Sequence, residues 1–378
     1  MSETPNKRSF MPRSEVRVAL LGVGTVGSQV ARILAVHGNR LSRLIGARLR
    51  LIGIACRRPA DVSDQWIDKS LLTDDPASLC PQADVVIEVM GGLEPARSLM
   101  MSAFENGASV VTANKALLSR DLKSLQQAAY DHHADLYYEA AVAGTIPVVR
   151  VLRESLAADQ IISISGIVNG TTNYILDQMA LKGISFDQAL AQAQEQGYAE
   201  ADPSADIDGY DSAAKAAIMA CLAFGQEIKL DDVDVEGIRS VSQADVAAAA
   251  ARGEVIRLLA SISRDKPGSK NGSDCYTPGS SFPLHVSVKP VTLPKDHELA
   301  GIHGSYNAVA IKARYAGDLM LTGLGAGGEP TASAVVSDLI TVAGNKVSGV
   351  VSPPIPLTSL SGSDCSAEIS AKNYGQGV

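Results

Sequence analysis

Residues 16–45 constrain the fold more than any other part of the chain. An apolar run at 16–21, broken only by Arg17, enters Gly22-Val-Gly-Thr-Val-Gly27. Residues 28–45 then repeat Val30, Ile33, Leu34, Leu41 and Leu44 at helical spacing. A strand, then G-x-G-x-x-G, then a helix is the context in which this motif holds a dinucleotide. Gly22 permits the turn, Gly24 lets the backbone reach a pyrophosphate, and Gly27 lets the helix pack close with its positive N-terminus toward the phosphates.

The next segments extend the pattern. Residues 49–55 read as a second strand, 84–89 as a third, 109–112 as a fourth and 135–138 as a fifth, with helices expected over 94–106 and 119–132. Strands alternating with helices predict a parallel, doubly wound sheet, so the fold class is α/β with a Rossmann-type nucleotide-binding domain. After the second strand an acidic residue would take the ribose 2′-hydroxyl of NAD. This chain has Cys56-Arg57-Arg58 instead, which suits a 2′-phosphate and favours NADP, with NAD also open and Arg57 the first candidate. Two exposed arginines at a strand end are also an ordinary surface. Lys115, in Thr112-Ala-Asn-Lys115, stands where such sheets bind ligands, beyond the carboxyl end of a strand.

The second half turns on residues 197–215, five carboxylates followed by a lysine and an apolar run. Asp211, Lys215 and Met219 recur every four residues, so a helix from about 208 stacks them on one face. A calcium loop fits Asp206, Asp208 and Gly209, yet its twelfth position, a bidentate Glu, is Lys215 here. Two readings remain: a solvated i, i+4 pair, or a proton-transfer site in which Asp211 orients Lys215. Residues 161–168 read as β, 186–196 as helix, and 241–262 as one alanine-rich helix. Residues 263–281 read as an exposed connection. Residues 284–288 and 307–314 read as antiparallel strands, and Gly323 to Thr331 as a glycine-rich turn opening a helix over 332–342.

Composition narrows the function classes. A net charge of −8 without a basic run argues against a nucleic-acid surface. No run approaches the length of a membrane span. Five cysteines without a C-x-x-C pair argue against a disulfide framework or a zinc site and for a reducing, cytoplasmic compartment.

Six collinear stretches across residues 16–345 together resemble the homoserine dehydrogenase family. They are the Gly22–Gly27 motif, Thr112 to Lys115, Glu139 to Pro147, Gly166 to Tyr174, Gly197 to Pro203 with Asp211 and Lys215, and Gly325 to Asp338. The resemblance implies NAD(P)-dependent interconversion of L-homoserine and L-aspartate 4-semialdehyde, in threonine, methionine and isoleucine biosynthesis. It also implies roles. Lys215 would move the proton, with Asp211 beside it on the substrate, and Lys115 would lie between nicotinamide and substrate. Glu200 would take the substrate ammonium, aided by Tyr198, Asp206 and Thr171. Gly22, Gly24, Thr25, Val26, Gly27, Arg57, Lys115, Gly197 and Gly325 would hold the cofactor. Backbone carbonyls of Glu139, Val142, Gly144 and Ile146 would hold a monovalent cation such as sodium.

The expected organisation is a flexible leader at 1–15, a nucleotide-binding domain at 16–140 and an α+β catalytic and dimerisation domain at 141–322. A helix returning to the first domain at 323–345 and a tail at 346–378 complete it. Neither end offers room for the ACT-type or aspartate kinase domains that many members carry, so the resemblance is to a short form. The alternation around 284–314 suggests a sheet that pairs in a homodimer. Two other functions compete: a sensor that holds NADP(H) without turnover, and an oxidoreductase for another small amino-acid aldehyde.

Overall fold

The computed structural model describes residues 13–264, 283–355 and 357. The expected leader up to 12, most of the 263–281 connection and the tail beyond 357 lie outside the described residues.

The first sheet is wholly parallel. Its strands β1 (Glu15–Leu21), β2 (Arg48–Ala55), β3 (Leu72–Thr73), β4 (Val85–Glu88), β5 (Ser109–Thr112) and β6 (Leu136–Tyr137) lie in the order β3-β2-β1-β4-β5-β6. Side chains alternate across β1. Val16, Val18 and Leu20 enter one core, while Ala19 and Leu21 enter the other. Over the second face lie α2 (Ala96–Glu105) and α3 (Lys115–Asp131), through Met100, Phe104, Leu118 and Leu125. Over the first lies α1 (Thr25–Ile45), through Val30, Ala31, Leu41 and Ile45. Burying each such aliphatic side chain is worth about 1.5–3 kcal/mol. The strand order reverses between β1 and β4, and open sheets of this kind bind ligands beyond the strand ends at such a point.

A short helix, α4 (Val148–Arg150), leads into the second sheet. This sheet contains β7 (Ile161–Ile167), β8 (Asp234–Val235), β9 (Glu254–Arg264), β10 (Leu284–Pro294), β11 (Tyr306–Ala313) and β12 (Gly317–Leu324), in the order β12-β11-β7-β9-β10-β8. All its pairings are antiparallel except β8 with β10. The segments between are α5 (Gly170–Lys182), α6 (Phe186–Glu195), α7 (Ser204–Ile207), α8 (Tyr210–Phe224) and α9 (Gln243–Ala251). Helix α8 is buried from Asp211 to Leu222 against this sheet, which its run of alanines with Ile218, Met219 and Leu222 permits on every side. The last helix, α10 (Gly328–Ser348), runs back to the first sheet and packs Val335, Leu339 and Val342 into the core that α1 covers.

The single helix expected over 241–262 is two elements. Ser242 caps α9 reciprocally with Asp245, and Gly253 follows it with φ +75. The chain then reverses into β9, where Val255, Ile256, Leu258, Leu259 and Ile262 pair along β10, and residues 260–263 also pair with β7. Alanines favour helix and the β-branched run favours strand; the glycine marks the change. Strand β10 also continues to Pro294, well past residue 288, and β12 occupies a stretch where the sequence pattern predicts no strand.

Candidate active site

The motif glycines do three different things. Gly22 has φ +107, and a side chain there would come within 2.9 Å of the Val89 carbonyl oxygen. A Cβ on Gly27 would lie 2.0 Å from the Gly22 carbonyl oxygen, so only glycine lets α1 start this close to β1. Gly24 faces open space, and a Cβ added there would meet nothing within 4 Å. Helix α1 has no side-chain cap and no acid in its first turn, so the amides of Thr25, Val26 and Gly27 stay free for an anion. The equally uncapped start of α10 sits beside it, since a Cβ on Gly328 would meet the Thr25 carbonyl oxygen at 2.9 Å. Arg57 is exposed just beyond β2 and makes no ion pair among the described residues, whereas Arg58 pairs with Asp61 at 3.2 Å.

Lys115 is the first residue of α3, which begins four residues earlier than the sequence pattern indicates. The Asn114 side chain caps it by accepting from Leu117 N at 3.1 Å, and the Asn114 amide donates to Gly92 O at 2.7 Å. Buried Glu88 ties the same strand ends together. It accepts from Met90 N at 2.8 Å, Gly91 N at 3.1 Å and Thr112 Oγ1 at 2.6 Å. The ends of β4 and β5 are thereby fixed, and with them the lysine.

Lys115 and Lys215 meet on one carboxylate. Lys115 Nζ lies 3.0 Å from Asp211 Oδ1, and Lys215 Nζ donates to Asp211 Oδ2 at 2.7 Å and to the Val168 carbonyl at 2.6 Å. Lys215 is 7% exposed, while the Lys115 side chain keeps 44%. The i, i+4 pair is therefore no solvated surface pair. Burial works against the Asp211 carboxylate, yet the Lys215 and Lys115 ammonium groups and the Asn169 amide together hold its pKa well below the ordinary range. Asp211 in turn raises the Lys115 pKa against the effect of burial, with smaller contributions from Asp206 and Glu200. Lys115 thus stays cationic at neutral pH.

Asn169 joins the acids. It caps α5, and its Nδ2 donates to Asp206 Oδ1 at 2.7 Å and to Asp211 Oδ2 at 2.8 Å. Burial, and then the Asp211 charge, push the Asp206 pKa up. Thr171 spends its hydroxyl on the Tyr198 carbonyl at 2.7 Å, and the Tyr198 ring packs on Tyr174 with centroids 4.9 Å apart. Glu200 is exposed, and Gly197 turns the chain with φ +73.

The 139–146 loop closes the far side. Ala143 and Gly144 are both left-handed, at φ +55 and +60. A Cβ on Gly144 would lie 2.7 Å from the Gly325 carbonyl, so this loop rests directly on the segment after β12. Among the described residues nothing donates to the Val142 or Gly144 carbonyls, while those of Glu139 and Ile146 accept from Val142 N and Val148 N. The Glu139 carboxylate accepts from Val149 N and Arg150 N, and its pKa is pushed up to about 7 by burial and by Asp338, whose own is pushed up to about 6 by burial.

Of the predicted residues, the structure joins Lys115, Lys215, Asp211 and, through Asn169, Asp206 in one cluster, and it brings Gly144 against Gly325, while Arg57 stands apart beyond β2. Sequence reasoning assigns no role to Asn169, Glu88 or the Val168 carbonyl. A cap-type residue directly after a strand is the available signal for Asn169; a carbonyl carries none.

Residues 22–139 match the family model described as homoserine dehydrogenase, NAD binding domain, and residues 147–340 match the model described as homoserine dehydrogenase. The homoserine dehydrogenase of Mycobacterium tuberculosis is 48% identical over 347 residues, 91% of this chain and 76% of that protein. The crystal structure of a homoserine dehydrogenase from Thiobacillus denitrificans superposes with a TM-score of 0.82 at 38% identity, covering 90% of this chain and 75% of that one. A hyperthermophilic archaeal homoserine dehydrogenase in complex with NADPH gives 0.71 at 29% identity, covering 87% and 97%. With most of the chain and both paired lysines inside the matched regions, the chain belongs to the homoserine dehydrogenase family.

Proposed function

We propose that this chain interconverts L-homoserine and L-aspartate 4-semialdehyde with NADP, NAD being the weaker cofactor. The observation that carries the reading is the convergence of Lys115 and Lys215 on the two oxygens of Asp211. An ammonium has three donors, and Lys215 spends two of them on Asp211 and Val168. The third is left for the substrate oxygen. Lys215 gives that oxygen its proton as the aldehyde is reduced and takes it back in the reverse direction. Lys115, cationic and with donors to spare, stabilises the alkoxide charge between substrate and nicotinamide. Asp211 orients both amines. Exposed Glu200 takes the substrate ammonium, with Asp206, Tyr198 and Thr171 shaping that end.

The dinucleotide, when bound, supplies or accepts the hydride. Its pyrophosphate is matched by Gly22, Gly24, Thr25, Val26 and Gly27, its nicotinamide end by Lys115, Gly197 and Gly325, and its 2′-phosphate by Arg57. The complex of the archaeal relative with NADPH supports this choice of cofactor. Arg57→Ala should weaken NADP by roughly ten- to a hundred-fold and leave NAD nearly unchanged, because only NADP offers the 2′-phosphate. Titration with both cofactors checks this, and unaltered discrimination would move recognition to Arg58 or Lys69.

The carbonyls of Glu139, Val142, Gly144 and Ile146 suit a monovalent cation such as sodium, since those of Val142 and Gly144 receive no hydrogen bond among the described residues. We place the nucleotide-binding domain at 16–140 with its returning helix at 323–345, and the catalytic domain at 141–322. The face of the second sheet on which Val291, Ala310 and Met320 stay half-buried is the surface we assign to a homodimer. Among the described residues no helix is long and apolar enough to cross a membrane.

The test is a spectrophotometric assay with homoserine and each cofactor, run in sodium and in tetramethylammonium buffers, with light scattering on the same sample. Turnover with NADP⁺, sodium dependence and a dimer mass are expected. Tight NADPH binding without turnover on any substrate would favour a sensor instead, and faster turnover of another amino-acid aldehyde would change the substrate.

A further inference from the structure

Beside Gly325 lies a fully buried polar side chain without a partner among the described residues. Asn307, on β11, is 0% exposed, and neither its Nδ2 nor its Oδ1 takes part in a hydrogen bond there. Its place is specific. Ala308 pairs with Ile167, which puts Asn307 opposite Val168, whose carbonyl receives Lys215. On its other side Asn307 pairs with Gly323 of β12. Side chains alternate along a strand, so Asn307 shares the face of Val309 and Ile311, the face that α8 covers. Its carboxamide lies flat against Gly325, where a Cβ would sit 1.9 Å from Asn307 Nδ2 and 2.6 Å from Oδ1. Gly144 also approaches Gly325, whose carbonyl would lie 2.7 Å from a Cβ built on Gly144.

We propose that Asn307 is a positioning residue for the nicotinamide end of the dinucleotide, acting through the Gly325 backbone that rests on its carboxamide. The inference depends on the assignment of Gly325 to the nicotinamide end. A buried donor and acceptor left unmet are costly, and the backbone segment at Gly325 lies directly against them. Gly325 and Gly327 give that segment freedom to rotate a peptide toward the carboxamide. The cofactor selects the seated form because nicotinamide contacts the same backbone on its other surface. Asn307 thus lowers the free energy of one loop arrangement, and that arrangement sets the distance between nicotinamide and the Lys215 site.

Asn307→Leu keeps the shape and removes both unmet atoms, so it separates positioning from support. We expect a melting temperature equal to or above that of the parent, with NADPH binding roughly ten- to thirty-fold weaker. Binding of 2′-phospho-ADP-ribose, which lacks nicotinamide, should stay within about two-fold, since the other contacts are untouched. Asn307→Ala should show the same change in the ratio of the two affinities even where its cavity lowers the melting temperature. Equal loss for both ligands, or no loss for NADPH, overturns the proposal. If the parent protein binds 2′-phospho-ADP-ribose and NADPH equally well, the assignment of Gly325 to the nicotinamide end fails first, and the role of Asn307 falls with it.

Discussion

Lys215→Ala should lower kcat by roughly a thousand-fold or more while the Kd for NADPH stays within a few-fold. The lysine is buried and keeps one donor beyond those spent on Asp211 and Val168; in the role we propose, its loss removes both the proton and a charge that matter in the transition state. It touches none of the residues assigned to the pyrophosphate or the 2′-phosphate. Stopped-flow hydride transfer together with fluorescence titration of NADPH separates the two quantities. Parallel losses in kcat and in NADPH affinity would sink the role, because they would make Lys215 part of the cofactor's support. Because the two ammonium groups share one carboxylate, alanine leaves Asp211 to Lys115 and the Asn169 amide, and its charge then acts on Lys115 alone among the two lysines. The residual activity should therefore not be recovered by raising pH.

Asp211→Asn should be the second most damaging change, and it should act on stability as well as rate. Asp211 and Lys215 are both buried, and breaking one half of such a pair typically costs about 3–5 kcal/mol. The folded-state pKa of Asp211 lies below its unfolded value, so its contribution is fully present above the unfolded pKa and is lost only as pH falls through the folded one. Parent and variant should differ in denaturant midpoint across neutral pH and approach each other only in strong acid. Asp211 is also the main reason the Lys115 pKa is raised. Removing the charge should bring the alkaline limb of the kcat/KM profile to lower pH, with kcat down roughly a hundred-fold. A profile whose alkaline limb stays in place would show that Lys115 is not the group that titrates there.

Much of this is legible because the chain changes periodicity where it changes structure. Apolar runs of four to seven residues alternate with helical repeats through the first sheet, and glycines sit at the turns, so the α/β reading follows without any partner contacts. Residues 254–264 defeat the same reasoning because they follow an alanine run that shares their hydrophobicity, and only Gly253 separates the two. What makes residues 255–262 a strand is pairing with β10 along its length and, at 260–263, with β7, which lies about a hundred residues upstream in the chain. The chemistry is legible in its titratable groups. Lys115, Asp211 and Lys215 stand out by type, and the structure adds that they form one cluster. Asn169 and Asn307 are not legible as contributors, since an asparagine is unremarkable until its partners, or the want of them, are known in space.

The return of α10 to the first sheet has a consequence for the order in which the molecule can be completed. Val335, Leu339 and Val342 seal the core beside α1, yet a ribosome reaches them only after some two hundred further residues of the second sheet have emerged. A nascent chain therefore carries an unroofed apolar surface through most of its synthesis. The helix that finally shelters it begins at Gly328, so the backbone that rests on Asn307 and the roof are finished by the same short stretch of polypeptide.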